Sequence, residues 1–119
     1  MGDTRALSVA GAVLGFLGVL ASAFGAHALQ GRLAPDLLAV WETAARHHLI
    51  HALALVFAGW IGARAASWLF VSGIVIFSGS LYALALTGTR WLGAITPLGG
   101  LCLLAGWLAL AWKLTRTPR

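Results

Sequence analysis

Between Arg5 and Arg32 the chain carries no aspartate, glutamate, lysine or arginine, and from Ala6 to Leu29 almost every residue is apolar or small. A helix of about 20 such residues spans the hydrocarbon core of a bilayer. The pattern returns in later blocks: 61% of the 119 residues are hydrophobic and 9% charged, against roughly 25% charged in ordinary soluble domains. A fold this small buries only a modest part of its surface, so the apolar excess must face lipid. The chain is expected to be one integral membrane domain, residues 1–119. Arg5 followed by an apolar run, then Ala21-Ser22-Ala23 and Ala26-His27-Ala28, also resembles a cleavable signal. Signal cores are nearer 7–15 residues, and this run is longer, so it is read as a retained span.

The expected fold class is all-α: an integral membrane bundle of four transmembrane helices, at about 6–28, 47–62, 68–86 and 91–112, with an interfacial helical extension, about 36–46, before the second. In the first span Gly11, Gly15, Gly18, Ser22 and Gly25 recur in steps of four and three, which keeps small residues on one side of a helix. In lipid such a stripe lets another backbone approach closely, within the chain or across a dimer. Gly31 and Pro35 break the chain, and helix is expected to restart at Pro35 or Asp36, with proline in a first turn and an acid at the positive helix end. The fourth span is interrupted by Thr96, Pro97, Gly99 and Gly100, and a kink is expected there.

The net charge of +5 is spread singly along the chain, apart from Lys113, Arg116 and Arg119. That distribution suits loop charges that orient a membrane protein and does not suit nucleic acid. Arg5, Arg64 and the basic tail share one side of a four-span chain, which places both termini in the cytoplasm. Trp60, Trp68 and Trp112 would belt that interface, and Trp41 and Trp91 the opposite one. Cys102 stands alone in an apolar run and reads as a packing residue.

Several motifs resemble the small membrane-protein family called domain of unknown function 423. They are Ser22-Ala23-Phe24-Gly25-Ala26-His27-Ala28-Leu29, His51-Ala52-Leu53-Ala54-Leu55, Phe77-Ser78-Gly79-Ser80-Leu81-Tyr82 with Leu86-Thr87-Gly88, and residues 93–100 with Gly106-Trp107. The resemblance covers nearly the whole chain in order. It implies a multi-pass protein of the bacterial inner membrane and supplies no established activity, substrate or cofactor. His47 and His48 fall outside the motif.

Candidate functional residues concentrate around the second span. His47 and His51 are four apart and share a helix face, and His27 ends the first span on the same side of the bilayer. Through His27, His47 and His51 the chain could hold a metal or haem, or histidine could relay protons; the plainer reading is hydrogen bonding that fixes helix docking. No cofactor is predicted. His51 is expected to lie deepest and His48 to be solvated. Glu42 and Arg46 are expected to form an interfacial ion pair, or Arg46 with Arg32 an anion or lipid-headgroup clamp. Ser72, Ser78, Ser80 and Tyr82 either line a polar path or bond to backbone. No nucleophile–base pair, phosphate loop or paired acids are present, so an enzyme is not expected.

The function expected is a non-enzymatic accessory or structural subunit, packed against itself or other membrane subunits through the glycine stripe and surrounded by lipid. The alternatives are a small oligomeric transporter or channel for an ion, proton or small solute, with a path near His27, His51, Ser80 and Tyr82, and a metal- or haem-binding redox subunit.

Overall fold

The computed structural model describes residues 2–118, all-helical apart from short connections; Arg119 of the basic tail lies outside the described residues. Helix α1 runs Gly2–His27, α2 Pro35–Trp60 and α3 Arg64–Gly73. A π-helical turn, Ile74–Ser78, joins α3 to α4, Gly79–Thr87. A 3₁₀ turn, Arg90–Ala94, leads into α5, Thr96–Arg116. The rods Thr4–His27, Arg64–Thr87 and Arg90–Arg116 are long and apolar enough to cross a bilayer. α2 is as long as α1, about 39 Å at 1.5 Å per residue, but it carries Glu42, Arg46, His47, His48 and His51.

Segment 36–46 is the first part of α2, which continues through His47 without a break. Pro35 opens it, where an amide N–H has no helical partner to lose, and Asp36 stands in the positive first turn. α2 lies antiparallel along the full length of α1. At one end Gly25 sits under the Trp41 ring; then Gly18 faces Leu49, Gly11 faces the Val56 backbone, and Gly59 of α2 meets the Thr4 and Ser8 backbone. A Cβ on Gly11 would come within 2.8 Å of the Val56 nitrogen, and one on Gly59 within 2.6 Å of the Ser8 nitrogen. Gly15 is looser, its nearest neighbour being Ala52 at 3.9 Å. The stripe is therefore spent inside the chain, on α2. Only Ser22 of the stripe is exposed, so the stripe does not present itself to a second protein as expected.

The α3–α4 rod runs antiparallel to α2, and α5 antiparallel to that rod, the second contact again set by small residues. Gly106 admits the Phe70 ring, Gly73 admits Leu103, and Gly99 lies against the Phe77 main chain. In the π turn the Gly79 N–H reaches the Ile74 carbonyl, five residues back. Phe77, within this widened turn, meets both Gly99 and the His47 ring, the latter at 4.9 Å between centroids. The break expected inside a fourth span falls before α5: 3₁₀ gives way to α-helix at Ile95, and Pro97 sits in the first turn. Thr96 and Pro97 start a helix instead of kinking one. Gly88 ends α4 at φ +71°, a left-handed cap favoured by the missing Cβ.

Leu55, Ala58, Phe70, Ile74 and Leu103 form the centre of the larger apolar core. Trp60, Trp68, Trp91 and Trp112 are exposed, as interface belts require. Trp41 is not. It is 7% exposed, held between α1 and α4.

Candidate functional site

The polar residues of the interior radiate from α2. Three- and four-residue spacing turns His48 and His51 toward protein, both 6% exposed, with His47 half-buried beside them. His51 Nδ1 lies 2.7 Å from the His47 carbonyl, and Trp107 Nε1 lies 2.9 Å from His51 Nε2. An indole N–H only donates and a carbonyl only accepts. The two contacts therefore assign His51 as the neutral Nδ1–H tautomer, with Nε2 accepting from Trp107. Phe70 and Trp107 enclose the ring, at 5.8 and 5.7 Å between centroids. The lone pair a metal would take is already in use. A proton added at Nε2 would point at the indole N–H.

His48 Nδ1 is 2.8 Å from Tyr82 Oη, while Nε2 is buried without a hydrogen-bond partner among the described residues. His48, expected to be solvated, is among the most enclosed polar groups, because α1 covers it at Gly18. His47 donates from Nδ1 to the Thr43 carbonyl at 2.9 Å, repeating the His51 arrangement one turn earlier.

Other polar groups also join helices. Trp41 Nε1–H donates to the Ala21 carbonyl at 2.8 Å, Ser8 to the Val56 carbonyl at 2.8 Å, and Ser78 to the Ala44 carbonyl at 2.9 Å. Ser80 Oγ and Thr96 Oγ1 are 2.6 Å apart, linking α4 to α5. Ser80 thus turns toward α5 and Tyr82 toward α2, so the two do not line one path. His27 is exposed at the end of α1, and no metal-holding group of three His, Cys, Asp or Glu occurs among the described residues. The expected convergence of His27 with His47 and His51 is not formed.

Glu42 and Arg46 are both exposed and line one cleft, and no ion pair joins them among the described residues. The expected pair is replaced by another: Arg90 Nη2 donates to Asp36 Oδ2 at 2.9 Å, tying the start of α2 to the 3₁₀ turn. The hydrogen bond from Arg90 holds the Asp36 carboxyl below its usual range.

Sequence reasoning missed Trp107 as the partner of His51, 56 positions apart; its one signal was the Gly106-Trp107 pair within the resemblance. It also missed Ser8 and Thr96 as bonding partners, since a hydroxyl in an apolar helix gives no sign of which neighbour it meets.

A profile described as protein of unknown function (DUF423) matches residues 21–100. A UPF0382 membrane protein of Staphylococcus haemolyticus is 46% identical over 108 residues, covering 86% of this chain and 88% of its own. A counterpart from Staphylococcus epidermidis is 44% identical, with the same coverage. The UPF0382 membrane protein YwdK of Bacillus subtilis is 40% identical over 110 residues, covering 86% and 89%. No solved structure matches the chain. With the profile across most of its length and relatives this similar along nearly all of theirs, the chain belongs to the DUF423 family of bacterial membrane proteins of unknown function.

Proposed function

We propose that the chain is a non-enzymatic subunit of an assembly in the bacterial inner membrane, crossing the bilayer four times with both termini in the cytoplasm. The observation that carries this reading is how the interior polar groups are used. His48, His51, Trp41, Ser8, Ser78 and Ser80 each bond to a neighbouring helix, and none is left facing a shared channel. Such bonds contribute about 0.6 kcal/mol each in membrane proteins, up to about 1.7. Their role here is to fix helix register. α2 crosses with the others because it accompanies α1 from Gly25 to Thr4, and His48 and His51, its innermost polar side chains, are shielded by protein. Association with itself or other subunits uses the outward faces of α1 and α5, since the glycine stripe is engaged within the chain.

The test is a native mass of the complex, extracted gently from its own membrane, with an absorption spectrum of the same sample. A colourless assembly heavier than one chain is expected. A lone, colourless chain that conducts an ion in proteoliposomes, with conduction lost in His51→Ala, would replace this reading with the transporter. An absorbing band lost in the same variant would replace it with the redox subunit.

A further inference from the structure

The geometry points to a phospholipid site along the outward face of α2, with Arg46 taking the lipid phosphate, Glu42 its terminal ammonium, and a groove below them an acyl chain. The charged end is a cleft of about 670 Å³ between α1 and α2, lined by Ser22, Glu42, Thr43, Arg46, Leu49 and Ile50. From Ile50 a second groove of about 740 Å³ continues along Leu53, Phe57 and Trp60, with Trp107 and Leu110 of α5 as its far wall. Arg46, Ile50, Leu53, Phe57 and Trp60 follow steps of four and three, so they stay on one side of the helix. This face is open between α1 and α5: Leu53 is 72% and Trp60 75% exposed.

Charge decides the occupant. Arg46 lies 14 residues from Trp60, about 21 Å along the axis. With Trp60 at one interface of a hydrocarbon core about 30 Å thick, the Arg46 backbone falls about 9 Å inside the opposite boundary, and its long side chain extends outward toward that boundary. A charge there is costly without a partner, and Glu42 does not supply one. Glu42 is one turn farther out. The order from the membrane centre outward is therefore apolar groove, cation, anion. A lipid presents the complement in the same order: acyl chain, phosphate, ammonium. A primary ammonium donates hydrogen bonds to a carboxylate, which a quaternary one does not, so the headgroup chemistry is phosphoethanolamine. The hydroxyls of Ser22 and Thr43 line the same cleft.

The inference rests on α2 crossing the bilayer as proposed above. Side-specific labelling of the termini tests that separately, so a wrong topology and an empty groove give different results. The experiment for the site uses the full chain in vesicles holding equal parts of phosphatidylethanolamine, phosphatidylcholine and phosphatidylglycerol, gently extracted and weighed by native mass spectrometry. One phosphatidylethanolamine is expected to be retained about tenfold over either competitor. Arg46→Gln should lower retention of all three lipids about tenfold; Glu42→Gln should erase the preference for phosphatidylethanolamine over phosphatidylcholine and leave binding. Both residues are exposed, and an unchanged melting temperature shows that the fold is kept. Retention without headgroup preference, or a preference that survives both variants, overturns the site. So does a two-chain mass, free of lipid, that falls apart in the same variants, because the face then belongs to a second copy. Glycerophosphoethanolamine and inorganic phosphate should compete weakly. If either displaces the lipid as well as intact phosphatidylethanolamine does, the acyl groove plays no part and the proposal fails.

Discussion

The Trp107 indole N–H donates to His51 Nε2 at 2.9 Å and so ties α5 to α2, helices that each pack against the α3–α4 rod. It also fixes the tautomer of His51, whose other nitrogen is committed to the His47 carbonyl. Replacing the donor leaves a buried lone pair unpaired without removing the aromatic ring. Trp107→Phe should destabilise the fold by about 1 kcal/mol, read from reversible unfolding in mixed micelles. The same substitution should move the ¹⁵N shift of His51 Nε2. An unchanged shift would mean that the bond does not form.

Close approach of α1 and α2 makes a sharper prediction, because two glycines on the same interface differ. A methyl at Gly59 would meet main-chain atoms of Thr4 and Ser8 at 2.6–2.7 Å, which side-chain rotation cannot relieve. A methyl at Gly15 meets only Ala52, at van der Waals distance. Gly59→Ala should destabilise by about 1–3 kcal/mol. Gly15→Ala should be neutral or slightly stabilising, by at most about 1 kcal/mol through helix propensity. Equal effects on unfolding would contradict the helix pairing.

The Asp36–Arg90 bridge predicts a pH dependence of known sign. The Arg90 hydrogen bond lowers the folded-state pKa of Asp36 relative to the unfolded chain. Its contribution is therefore complete above the ordinary carboxylate range and is lost as pH falls through the folded value. Both side chains are well exposed, 70% and 59%, so the effect is small and screened by salt. Melting temperature followed from neutral to acid pH at low salt should fall less in Arg90→Gln than in the native chain.

These predictions rest partly on features visible in the sequence and partly on features that were not. The all-helical class, the opening of α2 at Pro35 and the small-residue stripe of α1 follow from local rules of breakers, charge and period. The stripe's partner did not, because Gly11 and Gly18 say only that some backbone comes close. α2 is the helix that hydropathy reads worst: Arg46, His47, His48 and His51 lower its mean, yet two of those histidines are buried against other helices. Trp41 faces protein and not lipid for a related reason. A tryptophan near a span end suits an interface belt, but Gly25 opposite leaves room for the ring inside. Around the site, histidine spacing identified the right helix. The bonds to Trp107 and Tyr82 depend on which helices become neighbours, and no local pattern carries that.

The central claim is that α2 accompanies α1 through the bilayer. The most direct measurement is the side on which each terminus lies, read with a pair of reporters, one active only in the cytoplasm and one only outside it, fused in turn to residues 1 and 119 in intact cells. Four crossings put both termini on the same side, the cytoplasmic one in the proposed orientation. Termini on opposite sides would leave three crossings, the rods Thr4–His27, Arg64–Thr87 and Arg90–Arg116 alone, and would contradict the account.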